Sequence, residues 1–120
     1  MTSAVSDISE TVALAQRLIR IDTANPPGRE AAAAAMLAER LRATGATIRA
    51  VPLAPGRNSL VARLGPPEMP ALCLCGHLDT VPLGDHPWRR DPLGGEIGHG
   101  RLWGRGSTDI PHQFSVNGIV

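Results

Sequence analysis

Ala71-Leu72-Cys73-Leu74-Cys75-Gly76-His77-Leu78-Asp79-Thr80-Val81-Pro82 joins an uninterrupted apolar run to a Gly-His-x-Asp turn. The run from Ala71 to Cys75 has the length and composition of a short strand buried on both faces, as in a sheet covered by helices. Gly76 then opens a loop at the end of that strand, where α/β sheets place their ligands. Further on, Gly104-Arg105-Gly106-Ser107-Thr108-Asp109 sets another aspartate behind a Gly-rich turn. Together the two stretches predict half of a metal-hydrolase site on an α/β scaffold.

The residues before this stretch predict the helices that such a sheet needs. Asp7 and Glu10 form a capping-box-like start. Ile8, Val12, Ala15 and Ile19 follow at helical spacing, with Leu14 and Leu18 beside them, so a helix runs to about Arg20 or Ile21. Thr23-Ala24-Asn25-Pro26-Pro27-Gly28 is a loop, because its prolines and glycine cannot continue a helix. A second helix is expected from about Arg29 to Thr44, with Ala33, Met36, Leu37 and Leu41 as its apolar stripe and Gly45 as the residue that ends it.

Ala46 to Leu53 reads as a strand. Pro55-Gly56 marks a turn, and Leu60, Ala62 and Leu64 alternate along the return strand before Gly65-Pro66-Pro67 breaks it. Beyond Gly76 the chain is rich in loops, with a short hairpin from Glu96 to Trp103 turning at His99-Gly100. The order helix, helix, strand, strand, strand predicts an α/β domain whose helices pack on an incomplete mixed sheet.

Composition narrows the function. A chain of 120 residues is one domain at most. Its net charge of +1 implies no pull toward nucleic acid or an anionic membrane. All twelve basic residues are Arg, and alanine is abundant, which reads as coding bias in the source genome. The longest apolar run, Ala31 to Ala38, is too short to span a bilayer. The N-terminus carries Asp7 and Glu10 where a signal peptide would be apolar. Cys73 and Cys75 are poorly spaced for a disulfide. These features predict a soluble cytoplasmic protein.

His77 is the first chemistry-bearing residue. A neutral imidazole binds a metal through one nitrogen, and its other nitrogen needs an acceptor that Asp79 can supply. The plain alternative is a surface histidine beside a turn-forming aspartate. Asp109 can bridge two divalent ions, with Gly104 and Gly106 letting the backbone approach that centre. Its plain alternative is a turn or capping residue. Cys73 and Cys75 could be soft zinc ligands, but the expected role of each is a small buried hydrophobe. His86, His99 and His112 are expected in solvent, and Trp88 and Trp103 as loop-packing anchors. The chain carries no Gly-x-Ser-x-Gly elbow, phosphate loop or dinucleotide fingerprint, and no basic stripe with interleaved aromatics.

Taken in order, Cys75 to Pro82, Trp88, Asp91-Pro92-Leu93-Gly94-Gly95 and Gly100 to Asp109 resemble the acetylornithine deacetylase / succinyl-diaminopimelate desuccinylase family. These are metallohydrolases of the zinc aminoacylase and glutamate-carboxypeptidase group. Asn25-Pro26-Pro27-Gly28-Arg29-Glu30 resembles that family's first loop and the start of its second helix. The likeness runs from about residue 7 to residue 109. It implies the N-terminal portion of a zinc-aminopeptidase-like catalytic domain over residues 1–109, followed by a non-family tail over residues 110–120. Ile110-Pro111-His112-Gln113-Phe114-Ser115 stands where the family carries a Met-Lys-Gly-Gly type segment, so the tail reads as a frameshift or other ending of a truncated gene product.

By the same resemblance, His77 is a metal ligand, Asp79 is a supporting catalytic residue and Asp109 bridges two metals. The implied cofactor is Zn2+, two per complete site, with Co2+ also accepted. The implied reaction cleaves the amide bond of an N-acyl amino acid or small peptide with a metal-activated water. The implied partner is that small-molecule substrate, with neither nucleic acid nor membrane, and the complete family protein is expected to be a homodimer. The family's general-base glutamate is expected further along than Val120, so the 120 residues alone are expected to be inactive. The alternative is a non-catalytic remnant or interaction fragment without metal.

Overall fold

The computed structural model describes residues 4–108. Helix α1 (Ala4–Ile19) and helix α2 (Ala31–Arg42) precede a hairpin of β1 (Thr47–Ala54) and β2 (Arg57–Arg63). A second, smaller hairpin follows from β3 (Glu96–Gly98) and β4 (Arg101–Trp103). Each hairpin is a separate two-stranded antiparallel sheet. The architecture is mixed α/β.

The helices form where the apolar spacing is helical. In α1, Ala15, Leu18 and Ile19 are buried and Leu14 is partly buried, a set that shares one face at 3.6 residues per turn. In α2, Ala33, Ala34, Leu37, Ala38 and Leu41 are buried. The alanines let the neighbouring elements approach closely, and Leu37 fills the space that remains. Leu18, Ala33 and Leu37 make the centre of the core, with Leu14, Ile21, Met36, Leu60 and Leu78 packed around it. The helix ends as the sequence predicts: Gly45 takes φ +85°, a value that disfavours a Cβ. Ala46 N then donates to Leu41 O at 3.3 Å.

Helix limits differ modestly from the sequence reading. Helix α1 begins at Ala4, three residues before the start that the sequence predicts at Asp7. Helix α2 is shorter by two residues at each end than the span from Arg29 to Thr44, the usual scatter of helix termini.

The expected sheet is corrected in two ways. Among the described residues there is no mixed sheet, only the antiparallel pairs and one isolated parallel bridge, Ala24 with Thr80. The segment from Ala71 to Cys75 is not a buried strand. Leu72 is 87% and Leu74 63% exposed, and Cys73 and Cys75 are exposed free thiols rather than small buried hydrophobes. The physical reason is pairing. An apolar run becomes a strand only when a neighbour supplies ladder partners, and no described segment pairs with residues 71–75. The hairpin β1–β2 is likewise open on one side: Leu60 reaches the core, whereas Leu53, Val61 and Leu64 face solvent.

The smaller hairpin turns where it should. His99 and Gly100 have φ of +52° and +69°, the paired positive values of a tight hairpin turn. The loop before it docks on α1, because Gln16 Nε2 donates to Gly95 O at 2.7 Å and Arg20 Nε to Gly94 O at 3.0 Å. Gly104 follows the hairpin and lies against Ile19, where a Cβ would run into Ile19 Cγ2 and stand 3.2 Å from Pro92 O. No helix among the described residues is long and apolar enough to cross a membrane.

Two substitutions test this packing by urea denaturation. Leu37→Ala should lower stability by about 2–5 kcal/mol through the cavity it leaves. Gly104→Ala should cost about 1–3 kcal/mol through overpacking against α1. An unchanged midpoint for Leu37→Ala would mean that the core lies elsewhere.

Candidate functional site

The site is built on the loop after residue 76. His77 and Asp79 meet there as their spacing predicts. His77 Nδ1 lies 3.0 Å from Asp79 Oδ1 and 2.8 Å from the Asp79 carbonyl oxygen. Both neighbours are acceptors, so Nδ1 must carry the proton. In the neutral ring, Nε2 then holds the lone pair that a metal would use. This is the arrangement in which a carboxylate fixes the tautomer and orientation of a ligating imidazole.

Asp79 is itself held from behind. Asn25 Nδ2 donates to Asp79 Oδ2 at 2.8 Å. That amide bond, together with the nearby His77 ring, keeps the Asp79 carboxyl below its ordinary range, against the opposing effect of burial. The backbones are tied as well: Asn25 N donates to Thr80 O at 2.9 Å and Thr80 N to Thr23 O at 3.1 Å. The hydroxyls of buried Thr23 and of Thr80 lie 3.3 Å apart. Thus the Asn-Pro-Pro-Gly loop forms one wall of the site.

Two arginine–carboxylate pairs brace that wall. Arg105, with only 5% of its side chain exposed, donates from Nη2 to Asp22 Oδ1 at 3.0 Å and from Nη1 to Val81 O at 2.9 Å. Its backbone N reaches Pro92 O at 2.7 Å. One residue therefore links the end of α1, the His77 loop and the Gly-rich turn. Arg57 grips Glu30 through Nε and Nη2, the latter at 2.6 Å, and lies beneath Gly28, where a Cβ would strike the guanidinium. The Glu30 carboxylate is thereby unavailable to cap α2, and it makes no side-chain cap bond.

His77 and Asp79 are brought together, and Asp109 lies outside the described residues, as does His112. Gly104 makes its close approach to Ile19 and not to the His77–Asp79 pair. Exposed His86 and His99 are where the sequence places them. Trp88 and Trp103 each brace their own loop, donating to Leu83 O and Gly98 O. Sequence reasoning missed Asn25, Asp22 and Arg105. A lone Asn before two prolines reads as turn chemistry, and an Arg between glycines reads as solvated. The one available signal was the place of Asn25 and Arg105 inside family-like segments.

The donor chemistry fits a divalent ion in part. An imidazole oriented by a carboxylate is a ready ligand, but among the described residues no three His, Cys, Asp or Glu side chains converge on one point.

Comparison with known proteins gives a consistent answer. The chain is 42% identical over 103 residues to a succinyl-diaminopimelate desuccinylase of Granulibacter bethesdensis, covering 86% of this chain and 26% of that protein. It is 40% identical over 101 residues to the enzyme of that name from Methylobacterium radiotolerans, covering 81% of this chain and 25% of the relative. It is 41% identical over 106 residues to the one from Rhodospirillum centenum, covering 84% and 27%. The chain thus spans about a quarter of the length of the curated relatives it matches. No protein-family model matches it.

The carboxylates give the site a defined pH response. The Arg105 hydrogen bond, followed by the Ala24 amide, lowers the Asp22 pKa, and the Arg57 hydrogen bond lowers that of Glu30. Asp79 is lowered too. Groups depressed in the fold bind protons more readily in the unfolded chain, so their stabilisation is present above the ordinary carboxylate range and lost as pH falls through the folded values. Urea midpoints should therefore stay level for these groups above about pH 5 and drop below about pH 4. Glu30→Gln should make that drop shallower. An equally steep drop in Glu30→Gln would remove the Glu30–Arg57 pair from the account.

Proposed function

The chain belongs to the acetylornithine deacetylase / succinyl-diaminopimelate desuccinylase family, and we propose that it forms the N-terminal, metal-ligating part of a desuccinylase-type amidohydrolase. The proposed substrate is an N-acyl amino acid, of which an N-succinylated diamino acid is the form suggested by the relatives' names. The observation that carries the reading is the His77–Asp79 contact at 3.0 Å, in a segment that the family likeness covers.

In this reading His77 would hold one divalent ion, zinc by preference, through Nε2. Asp109 would bridge that ion to a second one. When bound, such ions supply an acidified water and a polarised amide carbonyl. Asp79 keeps the His77 ring in one tautomer and one orientation. Asn25 keeps Asp79 in place, and Arg105 ties the loop at Val81 to the Gly-rich turn that leads to Asp109. The fold that suits these roles is the N-terminal portion of a zinc-aminopeptidase-like domain, with residues 110–120 as a non-family tail. The 120 residues alone carry part of the proposed ligand set and no assigned general base, so they are proposed to be inactive by themselves.

A second reading, a remnant acting only through contacts, draws on exposed Leu72 and Leu74.

A chimera separates the two. Residues 1–109 of this chain would replace the matching quarter of the Granulibacter bethesdensis desuccinylase. The chimera should release succinate from succinyl-diaminopimelate in a zinc-dependent manner. His77→Ala and Asp109→Ala should lose metal and activity together, and Asp79→Ala should lose about 10- to 100-fold in rate or affinity. A chimera that folds and binds zinc but shows no turnover, or one indifferent to His77→Ala, would favour the second reading. The 120-residue polypeptide alone should show no turnover.

A further inference from the structure

We infer that Asn25 is a positioning residue of this site: its side-chain amide fixes the Asp79 carboxylate and, through it, the His77 ring. The inference deepens the metal-ligation reading above and rests on it for its functional meaning, although the geometry can be tested without metal.

The three side chains form a line. His77 Nδ1 donates to Asp79 Oδ1, and Asn25 Nδ2 donates to the other oxygen, Oδ2. A carboxylate with one partner can rotate about its terminal torsion, which is broad and two-fold. A carboxylate gripped at both oxygens cannot turn without breaking a bond. Asp79 bonded only to His77 could swing away, leaving His77 Nδ1 with the Asp79 carbonyl oxygen at 2.8 Å as its remaining Asp79 partner. Asn25 removes that freedom.

The amide is itself well anchored. Pro26 and Pro27 have no N–H, so the loop has few backbone donors, and the described ones are used. Ala24 N donates to Asp22 Oδ1 at 3.1 Å, Asn25 N to Thr80 O at 2.9 Å and Gly28 N to Ala24 O at 2.8 Å. Asn25 thus reaches across to the 79–80 segment twice, once from its backbone and once from its side chain. The backbone contact sets the distance between the two loops. The side chain is then left with a separate task, the orientation of Asp79.

An amide suits this task better than the alternatives. Asn offers a neutral donor, which bonds a carboxylate without cancelling its charge. An aspartate at position 25 would set two carboxylates face to face, which disfavours both ionised forms. An arginine or lysine would compete with His77 for the Asp79 carboxylate.

Because the backbone contact survives substitution, the side chain can be tested by itself in the 120-residue chain. The variants are Asn25→Ala and Asn25→Asp, with Arg40→Ala as a control that removes only the exposed Arg40–Glu10 pair, remote from the site. The first readout is the 15N signature of the His77 ring without metal. It should show a single Nδ1-protonated tautomer in the native chain and in Arg40→Ala, and a mixture in both Asn25 variants. The second readout is Zn2+ affinity by competition with a chromophoric chelator. It should weaken about 10-fold in the Asn25 variants and fall to background in His77→Ala. A merely structural role would lower the thermal midpoint and leave tautomer and affinity unchanged in the folded chain.

The outcomes are distinct. Unchanged tautomer and affinity in Asn25→Asp would overturn this inference and leave the metal reading standing. A fixed tautomer that depends on Asn25, with Zn2+ binding indifferent to His77→Ala, would sustain the positioning role and overturn the metal reading. Should both Asn25 variants lose their helical signal, the native chain still decides. One Asn25 side-chain amide proton should exchange slowly with solvent, and bulk-like exchange of both would overturn the inference.

Discussion

One short backbone contact holds the site to the fold. Thr23, Ala24 and Asn25 meet Thr80 in a single parallel bridge, through Asn25 N to Thr80 O and Thr80 N to Thr23 O. Upstream of it lie the helical core and the first hairpin. His77 and Asp79 lie immediately before Thr80, and the loops that lead to the Gly-rich turn follow it. A parallel bridge this short has little intrinsic stability, so side chains must support it. The Thr23 and Thr80 hydroxyls, the Asn25–Asp79 bond and the Arg105–Val81 bond all fall within a few residues of it.

Charge does much of the joining that a larger sheet would otherwise do. The apolar core is small, centred on Leu18, Ala33 and Leu37, and meets the chain beyond residue 80 at Gly104, which lies against Ile19. Arg105 ties that stretch further by pairing with Asp22, and Arg57 secures the start of α2 through Glu30. Both arginines use several donors at once, set in a fixed planar fork that an ammonium lacks. The Arg105 pair combines charge with a hydrogen bond to the Val81 carbonyl, so it acts as a connector between segments distant in sequence.

The helices, their apolar faces, the Gly45 stop and both hairpins were legible in the sequence because each is a local pattern. Spacing at 3.6 residues marked Ala15, Leu18, Leu37 and Leu41 as buried, and His99-Gly100 marked a turn that needs positive φ. The segment from Ala71 to Cys75 was misread for a physical reason. Its composition says that it can be a strand, whereas strand formation depends on a partner elsewhere in space. Cys73 and Cys75, expected inside, are exposed for the same reason. Of the site, the His77–Asp79 pair was legible because its two members are neighbours in sequence. Asn25 and Arg105 were not, since each meets its partner more than fifty positions away.

The sequence by itself determined the local chemistry: where the helices run, where the chain turns, and that an imidazole and a carboxylate sit two residues apart on one loop. The likeness of its motifs also determined the family. The tertiary structure alone decided which groups restrain that pair. Bringing Asn25 behind Asp79, and Arg105 between Asp22 and Val81, requires the loop after α1 to lie beside the loop after residue 76. That proximity follows from the packing of α1 and α2 and from the bridge at Thr80, and no local pattern of residues encodes a contact whose two halves are separated by an entire hairpin.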